Sequence, residues 1–127
     1  MDIQNLFRCV HEAPIDPQTG IRITWIIGDE NFSLFAAEIA PQTQIRPHYH
    51  ETGIEIYQIF GGTGTMKNGK KTGAGIVWHD EFMVGKGDCF TIDEGIVHQL
   101  ANPGPEPLLA AFVCPPAHVG DDRFFVE

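Results

Sequence analysis

Basic residues are scarce in this chain. Eight lysines and arginines stand against seventeen acids, a formal net charge of −9 over 127 residues. Such a surface repels phosphate backbones and anionic bilayers, so neither nucleic acid nor a membrane is an expected partner. The acids are scattered and not blocked, which serves solubility. No apolar run reaches the roughly 18 residues that a membrane span needs. The opening MDIQNLFRCVHEAPID has no basic stretch followed by an apolar one, so no signal peptide is expected. Cysteine is sparse as well: Cys9, Cys89 and Cys114 are odd in number, far apart and form no CxxC pair. That pattern fits buried thiols in a reducing cytoplasm, the expected location. No segment of ten or more residues carries a helical period, no internal repeat shows, and no linker divides residues 1–127. One domain is expected.

What the chain does have is punctuation. Fourteen glycines and nine prolines separate short apolar runs, with 43% apolar and 20% charged residues overall. This is ordinary globular composition, and the spacing of the runs predicts an all-β sandwich or barrel. After a mixed stretch ending in the turn-rich IDPQTG, the strand candidates are RITWII (22–27), SLFAAEI (33–39), a third element in PQTQIRPHYH (41–50), and IEIYQIF (54–60). SLFAAEI is short enough to be helical, but its turn-forming flanks favour a strand. GTGTMKNGKK holds Asn68-Gly69, which predicts a hairpin turn. GIVWHDEFMV (75–84), DCFTID (88–93), IVHQLAN (96–102) and LLAAFVC (108–114) complete the set.

RPHYHETGIEIYQIFGG concentrates the chemistry. His48 and His50, two apart on an extended stretch, point the same way. A turn at Glu51-Thr52-Gly53 resets the register, so Glu55 returns to the same interior with Tyr57 and Ile59, while Ile54, Ile56 and Phe60 face outward. A second hairpin, GDCFTIDEGIVHQLAN, turns at Glu94-Gly95 and presents His98 on its returning strand. Three imidazoles and a carboxylate converging inside a barrel suit a divalent transition metal.

These residues resemble the two motifs of the cupins, G-x5-HxH-x3,4-E-x6-G and G-x5-PxG-x2-H-x3-N. His48, His50, Glu55 and Gly62 fit the first; Gly87, Gly95, His98 and Asn102 fit the second. Gln42 replaces the first glycine and Asp93 the proline, both at turn positions. The motifs cover residues 42–102. The resemblance implies a single cupin (RmlC-like) jelly-roll barrel in which His48, His50, Glu55 and His98 ligate one ion of iron, manganese, nickel, copper, cobalt or zinc.

It also implies a small-molecule substrate and, first among the functions, an oxygenase or dioxygenase. A metal-dependent isomerase, lyase or epimerase of sugars or sugar acids, or a non-catalytic small-ligand binder, are the alternatives. Tyr57, sharing Glu55's face, and Arg46, two before His48, are the candidate catalytic residues, Arg46 as a clamp for a carboxylate. Gln99 faces away from the site. His79 beside Trp78 is a surface histidine or a proton donor. His11, His118 and Glu38 have no assigned role. A homodimer is expected, with residues 1–20 or the tail VGDDRFFVE crossing to a second copy to cover sheet edges and the aromatic Phe124 and Phe125.

Overall fold

A computed structural model describes residues 1–17 and 21–127, so the turn expected at IDPQTG lies partly outside the described residues. The chain begins with a short helix, α1 (Leu6–Glu12), followed by β1 (Arg22–Gly28), β2 (Ser33–Ile39), β3 (Thr43–Gln44), β4 (His48–Tyr49) and β5 (Glu55–Gly61). Next come β6 (Thr63–Thr72), β7 (Gly75–Gly85), β8 (Cys89–Ile92), β9 (Val97–Asn102) and β10 (Leu108–Cys114). A 3-10 turn (Pro116–Val119) and β11 (Phe124–Phe125) end the chain. The strands form two antiparallel sheets, ordered β1-β2-β10-β5-β8 and β11-β4-β9-β6-β7, with β3 beside β9. Apart from the β1–β2 and β6–β7 hairpins, neighbours are far apart in sequence, as a jelly roll requires, and the two sheets enclose the core between them. No helix among the described residues is long and apolar enough to cross a membrane.

Strand β5 shows why the interior is where the sequence places it. Glu55, Tyr57 and Ile59 are buried, while Ile56 and Gln58 alternate outward. The outward face is open and not covered as in a closed sandwich: Ile54 and Ile56 are 45% and 46% exposed. Inside, Phe35, Phe112, Tyr57 and Phe90 stack as a ladder across β2, β10, β5 and β8. Their ring centroids are 5.4, 5.3 and 5.2 Å apart in turn. Each step is a cross-strand pair in register, so one row of the sheet is aromatic from end to end.

Two features depart from the sequence reading, and a third concerns the ends of the chain. First, α1 is a helix, though only seven residues long, with the Asn5 side chain capping Arg8 N. It buries Val10 against Ile26 and Ala36, covering part of the outer face of β1 and β2. Second, Asn68-Gly69 does not turn. It lies within β6 at a bulge in the pairing with β7, and the chain reverses between Thr72 and Gly75. Gly69 is needed for a different reason: a Cβ there would collide with the Val77 carbonyl of the facing strand. Third, the termini dock on their own chain. β11 pairs with β4, Phe124 stacks on Tyr49 at 5.3 Å, and Phe125 lies beneath the Arg46 guanidinium.

Candidate metal centre

His48 sits on β4 directly opposite His98 on β9. Directly paired residues share a face, so both rings enter the interior. Glu55 opens β5 on the other sheet, and His50 follows β4 just before the turn. Gly53 takes a φ of 82°, the left-handed conformation the turn needs. The loop is tied down from two other segments. Glu94 accepts a hydrogen bond from Gly53 N (2.7 Å), and Gly95 N donates to the His50 carbonyl (2.8 Å). The Asp122 carboxylate accepts from Glu51 N (2.7 Å) and Thr52 N (3.0 Å).

His48, His50, Glu55 and His98 each expose 5% or less of their surface. Every one of the three imidazoles points its Nδ1 at a backbone carbonyl: His48 at Arg46, His50 at Asp122, His98 at Ile96. A carbonyl only accepts, so each Nδ1 carries a proton, and in its neutral form each ring keeps a lone pair on Nε2. Burial first, and the neighbouring His98 second, hold the His48 pKa well below its ordinary value, so that ring stays neutral near pH 7.

With neutral rings, Glu55 Oε1 and the Nε2 atoms of His50 and His98 form a cluster of acceptors with no donor. Glu55 Oε1 lies 3.4 Å from His50 Nε2 and 3.3 Å from His98 Nε2. All three atoms are buried without a hydrogen-bond partner. Lone pairs and a carboxylate crowded this way repel one another in a low-dielectric interior unless a cation lies among them. The spacing fits one: two ligand atoms about 2.1 Å from a shared ion stand about 3.0 Å apart at a right angle and about 3.4 Å apart at a tetrahedral one. His48, His50 and His98 have donor atoms mutually within 4.8 Å, as do His50, Glu55 and His118. The donor set therefore fits a divalent transition metal.

His118, which no local spacing connects to the motifs, is also here. Its Nδ1 donates to Glu55 Oε2 (3.2 Å) and its Nε2 to the Thr52 carbonyl, with Asp122 Oδ2 at 3.7 Å. Both nitrogens face acceptors, so the ring makes both bonds as an imidazolium. Burial acts to lower its pKa, but Glu55, Thr52 and Asp122 together outweigh that and raise it. The effect on Glu55 is reciprocal. Burial acts to raise the Glu55 pKa; the hydrogen bond from His118, first among the histidines around it, holds the carboxyl well below its ordinary range. One oxygen is thereby anchored and the other is left pointing at His50 and His98.

The remaining sequence candidates separate. Tyr57 lines the cavity beside the centre, and burial, then the charge of Glu55, push its phenol well above the ordinary value. Arg46 is exposed, its guanidinium 4.2 Å from the Phe125 ring centre, and it does not line the cavity; Arg123 does, and it also pairs with Asp16 at 3.1 Å. Gln99 points away from the site and donates to the Ile45 carbonyl (2.9 Å). His79 and His11 are exposed on β7 and α1. Glu38 pairs with Arg22 across the β1–β2 register at 3.5 Å and has no contact with the centre. The cavity at the centre measures about 30 Å³. At roughly 10–15 Å³ for each water, that is room for an ion's open positions and little more.

Both motif departures are absorbed. Gln42 takes the glycine's conformation outright, with φ 62°, the one positive value at a non-glycine position among the described residues. Its side chain donates to the Pro103 carbonyl (2.6 Å), and its backbone N to the Asn102 carbonyl (2.8 Å). At Asp93 the turn still closes, with Ile96 N donating to the Asp93 carbonyl (3.3 Å) and Gly95 at φ 76°.

A family model described as the cupin domain matches residues 35–114. No curated protein sequence matches the chain. Among solved structures, an uncharacterized conserved protein with a double-stranded beta-helix domain from Klebsiella pneumoniae is 19% identical with a TM-score of 0.71, covering 100% of this chain and 98% of that one. A Cupin 2 conserved barrel domain protein from Salinispora arenicola is 21% identical with a TM-score of 0.69, covering 95% and 93%. The polyketide cyclase RemF from Streptomyces resistomycificus is 20% identical with a TM-score of 0.68, covering 91% and 79%. At these identities the structural likeness speaks to the fold alone.

Proposed function

The chain belongs to the cupin domain family, and on that premise we propose that it is a small-molecule metalloenzyme of the oxygenase type, holding one divalent transition-metal ion on His48, His50, Glu55 and His98. The observation that carries this reading is the set of buried, unpartnered acceptor atoms on His50, Glu55 and His98. When bound there, iron, copper, manganese, nickel or cobalt supplies redox chemistry, and zinc supplies only a Lewis acid.

The protein's own groups favour the redox reading over the isomerase one. Moving a proton between carbons of a sugar needs a side-chain base near neutral pH. Tyr57, one candidate, is held protonated by burial and by the Glu55 charge, which makes it a hydrogen-bond donor to a substrate oxygen and not a base. Cys114 stays a thiol for the same two reasons. His118 has both nitrogens engaged, and His79 lies exposed on β7. Apolar walls from Ile39, Leu100, Ala110 and Phe112 keep bulk water off the centre.

The test is oxygen uptake by iron-, copper-, manganese-, nickel- and cobalt-loaded protein over a panel of enediols, flavonols, thiols and β-diketones. Uptake well above that of the free metal is expected with at least one pairing. Full turnover of a sugar or sugar acid with zinc under nitrogen would instead establish the isomerase reading. A small molecule recovered unchanged from the protein, without turnover, would establish a binding role.

A further inference from the structure

A second cavity lies at the opposite edge of the barrel, between β7 and β8, the terminal strands of the two sheets. It measures about 330 Å³, within the range of small-molecule sites, whereas the cavity at the centre holds about 30 Å³. Its walls are mostly apolar and soft: Met66, Phe82, Met83, Val84, Phe90 and Ile92.

Its inner end abuts the metal centre. Asn68 is the direct cross-strand partner of His98, Ile92 of Glu55, and Phe90 of Tyr57. Directly opposed residues have Cβ atoms about 4.5–5.5 Å apart, so one row of side chains separates cleft from ligands. Among its polar groups, Asp88 Oδ2 is occupied by Gly85 N (2.8 Å), but Asn68 Oδ1 is buried with no partner at all. An orphaned carbonyl oxygen costs stability unless something donates to it. No lysine or arginine lines the cleft and Asp88 does, which disfavours a carboxylate or phosphate there.

We propose that this cleft receives the apolar body of the substrate, an uncharged aromatic molecule bearing a hydroxyl group, and that Asn68 Oδ1 accepts the hydroxyl's hydrogen bond. This rests on the metalloenzyme reading for its role but not for its binding. Asn68 is then the residue that sets specificity, and Phe90 offers the ring face on which the aromatic body lies.

The experiment uses 2-naphthol and 2-methoxynaphthalene, which share a body and differ in the donor, titrated by fluorescence into the full metal-free chain. Naphthol should bind about 2- to 12-fold more tightly, the worth of one neutral hydrogen bond. The Asn68→Leu variant should bind both alike, and Asn68→Asp should keep the preference. Naphthol should also slow alkylation of Cys89, which is exposed and lines the cleft, but not that of Cys9. Equal binding of the two probes to the wild type, a preference that survives Asn68→Leu, or unprotected Cys89 would each overturn the proposal. The probe ratio and the Cys89 readout need no variant, so a failure of Asn68→Leu to fold leaves the test decisive. Zinc retention, measured in parallel by elemental analysis, separates the two claims: loss of zinc with the probe preference intact sinks the metalloenzyme and keeps the cleft, and the reverse sinks the cleft alone.

Discussion

At one end of the space between the sheets, three imidazoles and a carboxylate crowd a cavity of about 30 Å³; at the other, thioethers and aromatic rings line a cleft of about 330 Å³. The two ends face each other across one row of residues, His98 paired with Asn68 and Glu55 with Ile92. Yet they are held by opposite means. At the polar end the imidazoles are fixed by hydrogen bonds to backbone carbonyls and Glu55 by one from His118, so orientation is built in before any ion arrives. At the apolar end the walls are flexible side chains such as Met83, 87% exposed, and the buried, unpartnered Asn68 Oδ1 offers a directed contact. Rigid donors suit an ion with fixed bond lengths; a soft wall with one polar handle suits an organic body.

The difference predicts where substitutions act. Glu55→Gln, the largest change, should weaken metal binding by more than the ~10–100-fold that outer partners of a ligand carry, read by competition with a chelator. His118→Ala should fall within that 10–100-fold range, because it frees Glu55 Oε2 without removing a ligand. If His118→Ala changed nothing, the anchoring role given to it would be lost.

The pH dependence of metal-free stability sharpens the contrast, since the groups with clearly displaced pKa values lie at the polar end. Folded His48 refuses a proton that the unfolded ring accepts below about 6.5, so its contribution is present above that value and lost as pH falls toward the folded pKa. His118 has the opposite sign: its contribution is present below about 6.5 and lost as pH rises through its raised pKa. Glu55, held low first by His118, adds stability that is lost as pH falls below about 4.5. Thermal midpoints should therefore peak near pH 6.5, and His118→Ala should lose the alkaline limb and weaken the Glu55 part of the acid limb while keeping the His48 part. Gln42→Ala should cost about 1 kcal/mol in denaturant midpoints, the worth of its side-chain bond to Pro103, with the left-handed backbone unchanged. Met83→Ser on the cleft's lip should be smallest, within about 0.5 kcal/mol of wild type, and should leave metal affinity untouched.

The two ends also differ in how well the sequence announces them. The strand run from Ser33 to Ile39 and that from Leu108 to Cys114 have the bounds their composition suggests, and two short motifs bring His48, His50, Glu55 and His98 together. Local spacing sufficed because each motif is one short strand-turn-strand stretch, although its two strands cross between the sheets and do not pair as a hairpin. His118 stands 63 residues from Glu55, and Asp122 is 72 from His50; contacts over that distance leave no periodic trace. Asn68-Gly69 was misleading because glycine answers two needs, a positive φ in a turn and room beside a facing strand, and only the second applies. Gln42 shows the converse, a left-handed residue that is not glycine. Arg46 does not share the face of His48: its neighbour Ile45 is buried against the cavity, and Arg46 is exposed with its guanidinium over Phe125, a ring that comes from the chain's end. The cleft was invisible for a simpler reason: its walls are ordinary apolar strand residues.

The central claim is that one ion joins four groups from two separate motifs of the chain. Equilibrium dialysis of the full chain against zinc or cobalt, followed by metal analysis, tests it directly in the wild type and in His98→Ala. One ion retained per chain in the wild type, and none in His98→Ala at the same free metal, is the expected result. No retained ion in the wild type, or equal retention in the folded variant, would contradict it.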